Sequence, residues 1–431
     1  MKPENSTGTT EGITISAPEG NYRWVICAFL VFATTVNYMD RQILGLLAPM
    51  LQKDIGWSQV EYSWLVNAFT ISYGFGLLVC GRIIDRLGTK ISYAVAMAVW
   101  SVAAMLHAAV GGVGGFAAVR MMLGLGESAN FPAAMKAISD WHPKRERTLA
   151  TGILGVGVNV AVVIAPATVP WIAVHYGWRG AFLILGAIGL LWLIPWNIYF
   201  GKAESKAGKA ELAYIRQDGE DDTPIDRIQW SRLLTYRQTW AFAMGKFLTD
   251  PIWWFFLFWL PKWLNETRHI DMNGLGLPLV TIYIFACVGS LGAGWLPGAL
   301  MKKGVAPARA RRITMLVCAL AVTPIGLATQ SENLWVAVAI VGLAAAAHQG
   351  WSANILTSVS DMFPESAVGS VVGLGSTCGM IGSVLFSTVI GVVLERSGNY
   401  WALFAIGSIT YIAAWALIYM VLVPRLDRVE L

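Results

Sequence analysis

Residues Arg120 to Arg147 read RMMLGLGESANFPAAMKAISDWHPKRER, an apolar run that carries an acid in its middle and leaves through a basic turn. In hydrocarbon every backbone amide and carbonyl must be satisfied within the chain, so such a run crosses as a helix. An ionisable residue inside it is costly unless it faces a cavity or a partner, which makes Glu127 a candidate functional group. The plainer alternative is a structural acid hydrogen-bonded within a bundle. Arg120, seven residues earlier, falls on nearly the same face but about 10 Å away along the axis, too far for a direct bond. Asn130, Phe131 and Pro132 follow, and the proline is expected to kink the helix.

The stretch has a counterpart in the same chain. A shift of 221 residues sets Ile138-Ser139-Asp140-Trp141-His142-Pro143 against Val359-Ser360-Asp361-Met362-Phe363-Pro364. The same shift, without a gap, lays Gly152, Gly177, Ala181 and Gly186 on Gly373, Gly398, Ala402 and Gly407. Two homologous halves follow. Glu127 falls on His348 and Arg120 on Val341, so each half has one titratable group in mid-helix but the surrounding chemistry has diverged.

Of the 431 residues, 56% are hydrophobic and 13% charged, against about 25% charged in ordinary soluble domains. Apolar runs of about 20 residues begin near Trp24, Tyr62, Ile91, Val113, Leu149, Gly180, Trp240, Leu279, Ile313, Leu334, Val368 and Trp401, each long enough to cross about 30 Å of hydrocarbon. The chain is read as an all-α integral membrane protein with twelve spans. Its five cysteines, Cys27, Cys80, Cys287, Cys318 and Cys378, are scattered through apolar runs without metal spacing and are read as packing residues. No metal or cofactor is expected.

The domain boundaries follow from composition: a tail at 1–21, a first half at 22–200, a polar linker at 201–237, a second half at 238–424 and a tail at 425–431. Met1 to Gly20 has no basic region followed by an apolar core, so it is read as a disordered tail and not as a cleaved signal. With the N-terminus inside and twelve spans alternating, one side receives Arg82, Arg86, Lys90, Lys136, Lys144, Arg145, Arg147, the linker cations, Lys302, Lys303, Arg309, Arg311 and Arg312. The other receives Lys53, Arg179, Lys262, Arg268 and Arg396. This asymmetry puts both termini in the cytoplasm. The net charge of +5 is thus explained by topology and does not call for a nucleic acid.

Within the first span Asn37, Tyr38 and Arg41 share a helical face, and Asp40 lies about 100° around from Arg41. Arg41 either stays inside as a site residue or snorkels to the outer headgroups with Asp40 neutralising it. The second span places Asn67, Thr70, Tyr73 and Gly74 on one face. It ends in GRIIDRLGTK, where Gly81, Asp85, Arg86, Gly88 and Lys90 match a GxxxDRxGxK loop. On these residues the chain resembles the major facilitator superfamily, in which this loop helps to latch the cytoplasmic side in the outward-open state. The counterpart in the second half, PGALMKKG from Pro297 to Gly304, replaces the first glycine with Pro297 and the acid with Met301, so no role is assigned to it.

Arg120, Gly124, Gly126 and Glu127 match the RxxxGxGE pattern of the anion:cation symporter family within that superfamily, and YGWRGAF at 176–182 is similar to the same family. In the fifth span Gly152, Gly155 and Gly157, which permit close helix packing, lead to Asn159. The seventh span, GKFLTDPIWWFFLFWLPKWL, sets Lys246 and Asp250 one turn apart ahead of Pro251, where the helix is expected to break or bend. That pair is either a self-neutralised bridge or a pair of cavity groups. Its aromatic run is read as lipid-facing or packing material. The tenth span reads AAAAHQGWSANILTSVSD, and Gln349, Trp351 and Asn354 offer the hydrogen bonds and flat face a polyol needs. His348 is either a bonded core histidine or a cavity group.

The tenth-span segments AHQ and SD-x-F resemble bacterial hexuronate transporters, relatives of galactonate transporters and of sialin. This resemblance, which runs from Tyr22 to Pro424, implies two six-helix bundles with substrate held between them near the midplane, and proton-coupled uptake of a sugar acid. It implies Arg41 as carboxylate ligand and Asp40 and Glu127 as proton sites. Tyr38, Tyr73, Asn159, Gln349, Trp351 and Asn354 are the candidates for the hydroxyls. The proton is then the coupling ion, the partners are a small sugar-acid anion and the bilayer, and a monomer suffices. Aldonates such as galactonate, aldarates, and other organic anions stay open as substrates. A transporter-like sensor is disfavoured by the absence of an output domain, and an enzyme by the absence of any nucleophile, HExxH or phosphate-loop motif.

Overall fold

The computed structural model describes residues 20–201, 206–216, 230–423 and 429, and these fold into helices with no strand among them. Apart from Gly20, Asn21 and Val429, the expected tails lie outside the described residues, as do 202–205 and 217–229 of the linker. In chain order come α1 (Tyr22–Ile55), α2 (Gln59–Leu87), α3 (Thr89–Leu106), α4 (Val113–Glu127), α5 (Asn130–Trp141) and α6 (Lys144–Tyr199). The linker contributes α7 (Lys209–Ile215) and α8 (Trp230–Leu233). The second half has α9 (Arg237–Phe258), α10 (Leu260–Arg268), α11 (Gly276–Lys302), α12 (Pro307–Val322), α13 (Leu334–Met362), α14 (Glu365–Ser397) and α15 (Trp401–Ala416).

Among the described residues nine helices are long and apolar enough to cross a membrane. The α6 helix counts as two crossings because Gly177, at φ 73° and ψ 164°, breaks it into a hairpin. The interrupted pairs α4–α5 and α9–α10 supply the fourth and seventh crossings, which completes twelve. Each crossing starts within a few residues of its expected place.

Both interruptions sit ahead of a proline. A proline ring clashes with the carbonyl four residues back, and the first break, at Ser128 and Ala129, lies in the turn before Pro132. The second lies at Trp259, before Pro261 near the start of α10. The break expected at Pro251 does not occur, since α9 runs through that residue. The helix accommodates that ring and stops about two turns later, at Trp259. Of the two readings of the aromatic run of α9, packing holds: Phe255 to Phe258 are buried and Trp253 and Trp254 half-buried.

The repeat read from the sequence recurs in the backbone. His142 and Phe363, 221 residues apart, end their helices in matching extended conformations (φ −125°, ψ 137° and φ −117°, ψ 150°). Pro143 and Pro364 then open the next helices with ψ 155° in both. Gly177 and Gly398, also related by the shift, are both at positive φ, which is why glycine occupies both turns.

Contacts between the halves are concentrated at the end of the bundle remote from the described termini. The Tyr62 hydroxyl of α2 donates to the Phe258 carbonyl at 2.7 Å, and Asn67 donates to Thr388 at 2.9 Å. Gln59, at the start of α2, meets three residues of the second half: its backbone N–H donates to Glu395 (2.8 Å), its side-chain amide donates to Glu266 (3.2 Å) and its oxygen accepts from Lys262 (2.5 Å). One apolar core draws its buried members from the first half, around Trp100, Trp141 and Trp196. The other is continuous from the second half into the remote end of the first, taking in Leu46, Leu47, Trp57 and Tyr62. The bundle is therefore sealed at the remote end.

Candidate substrate and proton site

The site is built where α1, α2 and α4 meet. Gly124 presses α4 onto α2, so that a Cβ on it would stand 2.6 Å from the Phe69 carbonyl oxygen, and one on Gly126 would stand 2.8 Å from the Trp100 backbone nitrogen of α3. The two glycines of the GxGE run thus let α4 approach its neighbours closely enough to bring Glu127 to the centre. The break that follows is tied to three spans. Asn130 accepts from the Tyr93 hydroxyl (2.6 Å) and donates to Thr34 (3.4 Å), and the Ser128 hydroxyl lies 3.1 Å from the Cys80 sulfur.

Arg41 is the hub. Its Nε donates to Glu127 Oε2 at 3.0 Å and its Nη2 to Asn37 Oδ1 at 3.4 Å. The guanidinium carbon lies 4.5 Å from the ring centres of both Tyr38 and Tyr73 and 5.4 Å from that of Phe69. A cation held on aromatic faces away from water gains about 2 kcal/mol or more per favourable contact, which holds Arg41 in place while leaving it able to change hydrogen-bond partners. It is 5% exposed, so snorkelling to the headgroups is excluded. Pairing with Asp40 is excluded too: Asp40 is buried, and neither of its carboxylate oxygens has a hydrogen-bond partner among the described residues. The charge on Arg41 is met by Glu127, 86 residues away in sequence.

Arg120 is fully buried, with its guanidinium 4.4 Å from the Phe69 ring and 5.6 Å from the Phe258 ring. Its nitrogens find no hydrogen-bond partner among the described residues, in keeping with a separation too long for a bond to Glu127. The free Glu127 oxygen, Oε1, and the Asn37 amide nitrogen are likewise unpartnered there.

The second half contributes a different set. Lys246 and Asp250 pair at 2.8 Å and are 16% and 18% exposed at their side chains. His348 stacks on Trp253 (centroids 5.2 Å, planes 6° apart), and its Nδ1 lies 2.5 Å from the Tyr411 hydroxyl, which in turn donates to the Thr249 carbonyl at 3.3 Å. It is a bonded core histidine. Gln349 and Asn159 are half-buried. Trp351 and Asn354 are corrections: the expected polyol wall does not include them here. Trp351 is fully buried edge-on against Tyr411. Asn354 donates to the Ala293 and Gly350 carbonyls (3.0 and 2.9 Å) and accepts from Arg311. Helical periodicity gave the right spacing for that wall but not which side of α13 faces the centre.

The loop between α2 and α3 turns on Gly88 (φ 78°). Asp85 pairs with Lys136 at 3.4 Å and Lys90 donates to the Asn197 carbonyl at 3.1 Å, so these contacts stay within the first half. Gly81 has open space around it and Arg86 is exposed. Three features were invisible to spacing arguments because they join distant residues: the Arg41–Glu127 pair, the Gln59 cluster at the sealed end, and a polar knot of Arg23, Glu146, Glu211 and Tyr214 that ties the linker helix α7 to α1 and α6.

A family model described as Major Facilitator Superfamily matches residues 30–387. The chain belongs to the Major Facilitator Superfamily. It is a multi-pass membrane transporter of that superfamily and not an enzyme. Among curated proteins it is similar to the hexuronate transporter of Escherichia coli K12, 29% identical over 390 residues that cover 89% of this chain and 90% of the relative. It is also similar to a probable galactarate/D-glucarate transporter of Bacillus subtilis (28% over 437 residues, 97% of this chain and 96% of the relative). A galacturonate transporter of Dickeya chrysanthemi is 30% identical over 285 residues, 65% of this chain and 83% of the relative. The solved structure of a D-xylose-proton symporter has the same superfamily fold, with TM-score 0.75 at 13% identity over 95% of this chain and all of that one.

Proposed function

We propose that this chain imports a sugar acid, a hexuronate first among them, across a bacterial inner membrane by proton symport, with both termini in the cytoplasm. The observation that carries the reading is the bond from Arg41 Nε to Glu127 Oε2 inside the aromatic cage of Tyr38 and Tyr73. Arg41 is a permanent cation whose planar fork suits a carboxylate. One edge of that fork is held by Glu127. A proton on Glu127 removes its charge and frees the edge for the substrate carboxylate, so proton and substrate bind together. Loss of the proton restores the internal pair and expels the anion. Asp40, adjacent to Arg41 in α1 and buried without a hydrogen-bond partner among the described residues, is the second proton site in this reading.

The sealed end is the periplasmic one, because the opposite end carries most of the basic loop residues. The described arrangement is then the inward-facing state, from which the proton and substrate leave to the cytoplasm. Asp85, Arg86 and Lys90, with Gly81 and Gly88, act as the cytoplasmic latch in the opposite state. The transporter works as a monomer and needs no cofactor beyond the coupling proton. The similarity to hexuronate and galacturonate transporters supports the substrate class, and the similarity to a galactarate/D-glucarate transporter supports an aldarate as the second reading.

The test is uptake of labelled glucuronate and galacturonate into proteoliposomes with and without an inward proton gradient, with galactonate and galactarate as competitors. Gradient-driven accumulation of a hexuronate is expected. Accumulation of galactarate or galactonate alone would move the assignment to that acid, and transport of none would overturn it.

A further inference from the structure

The pair Lys246–Asp250 in α9 is not used by the proton cycle above, yet it stands in mid-span and is partly exposed. An ion pair in contact with lipid at that depth is strongly disfavoured, so its open side faces the cleft between the halves. The neighbouring contacts agree. Asp250 lies against Gly379 of α14, whose next residue, Met380, lies against Gly74 of α2. Along the same face of α9, Lys246 and Asp250 are followed by Trp253 and Trp254, at spacings of four, seven and eight residues from Lys246. Trp254 meets Phe69 at 6.2 Å, and Phe69 is one of the rings beneath Arg41. At 1.5 Å per residue, Asp250 is therefore about 6 Å and Lys246 about 12 Å farther along the cleft than the level of Trp254. A sugar acid anchored by its carboxylate at Arg41 would present its far end to this pair.

We propose that Lys246 and Asp250 bind the uncharged, hydroxylated end of the substrate and so restrict the transporter to sugar acids with one carboxylate. This rests on the sugar-acid reading of the site and deepens it. The pair offers ammonium donors and carboxylate acceptors side by side, the complement of vicinal hydroxyls, which both donate and accept. Because the two charges cancel at 2.8 Å, a second carboxylate brought to this place meets no net cation. It must instead displace Asp250 from Lys246 and leave a negative charge uncompensated in a partly dry cleft.

The decisive comparison is equilibrium binding of galacturonate and galactarate to the purified full-length transporter, wild type and single variants. The wild type should favour galacturonate. In Asp250→Asn the lone Lys246 becomes a second anchor, and the galactarate to galacturonate affinity ratio should rise at least about 10-fold. In Lys246→Gln the lone Asp250 repels a second carboxylate, and the same ratio should fall by a few-fold while galacturonate also weakens. Opposite shifts of one ratio are not produced by a general loss of packing. If Asp250→Asn does not fold, the direction of the Lys246→Gln shift decides alone. A ratio unchanged within two-fold in the variants that fold, or shifted the same way by both, overturns the proposal. Arg41→Lys serves as the separate control: binding of both acids that survived it would sink the carboxylate anchor at Arg41 whatever the ratio does, whereas wild-type binding of neither acid overturns both.

Discussion

The two halves share a backbone and differ in how they handle charge. In the first half, Arg41, Asp40, Arg120 and Glu127 are all buried, and only one edge of Arg41 and one oxygen of Glu127 are joined to each other. In the second half, the position matched to Glu127 is His348, which is stacked and hydrogen-bonded, and Lys246 and Asp250 neutralise each other on one helix. Unmet polar groups inside a bundle are costly and are kept where their state must change. In the proposed cycle the first half is the one that exchanges protons and anions. The second, with its mid-helix charges paired on one helix, would supply neutral recognition. Both halves turn on a glycine at positive φ at matched positions, Gly177 and Gly398, and the proposed cycle places the labile chemistry on one side only.

Two substitutions should break this asymmetry most severely. Arg41→Ala removes the cation and the two charge-assisted hydrogen bonds its fork would give the substrate carboxylate, each worth about 1.5 kcal/mol or more, so substrate affinity should fall about 100-fold or further. Binding measured in detergent checks this, and a change below three-fold would remove Arg41 from the site. Glu127→Gln is the subtler test. It mimics the protonated acid, so exchange of labelled for unlabelled substrate should continue while accumulation against a gradient disappears. Retained gradient-driven accumulation would move the coupling site to Asp40 alone. The matching change in the second half, His348→Gln, should lower stability by disturbing the contacts to Trp253 and Tyr411 without uncoupling transport.

Much of this was legible in the chain because a membrane simplifies the problem. Twelve apolar runs, the 221-residue offset and the bias of basic loops are one-dimensional signals, and the first two recur in the crossings and in the matched helix ends at His142 and Phe363. Helical spacing also placed Arg41, Tyr38 and Asn37 together. It could not show that Arg41 reaches across to Glu127, because that contact depends on the GxG surface of α4 lying against α2 and α3. Trp351 and Asn354 failed for the same reason: the period identifies a polar face, and only tertiary packing decides whether it meets a cleft or a neighbouring carbonyl. Prolines act as punctuation, but of the break or bend expected at Pro251 the break falls instead before Pro261.

A smaller effect is expected at the sealed end, where Gln59 of the first half is held by Lys262, Glu266 and Glu395 of the second. Gln59→Ala keeps the backbone bond to Glu395 and removes the two side-chain bonds. With net values of about 0.5–1.5 kcal/mol per bond, the balance should move roughly 10-fold toward the state open at that end. Faster labelling of a cysteine placed in the sealed interior would report it. An unchanged rate would mean that the apolar core around Trp57 and Tyr62, and not the polar cluster, holds the end closed.

The smallest change expected tests the relation between the halves at its plainest point. His142 and Phe363 occupy matching positions with matching backbone conformations, and both are buried. His142 packs edge-on against Trp24 at 5.1 Å, and neither ring nitrogen has a hydrogen-bond partner among the described residues. Lying between α5 and α6 beyond the crossing, it is held neutral by burial, against the opposing pull of Glu146, and its pKa is pushed down to about 4. An unfolded histidine titrates near 6.5. The unfolded chain therefore takes up a proton first as the pH falls, so the contribution of this site is full above about pH 6.5 and declines between there and about pH 4. His142→Phe installs the residue that the other half already uses in the same backbone setting. It should leave thermal stability near pH 7.5 within a few degrees of the wild type and flatten part of the loss seen on acidification to pH 4.5. Melting curves across that range check it. A variant as acid-sensitive as the wild type would show that the histidine accepts its proton while folded, and that the packing around Trp24 has more room than its counterpart around Phe363.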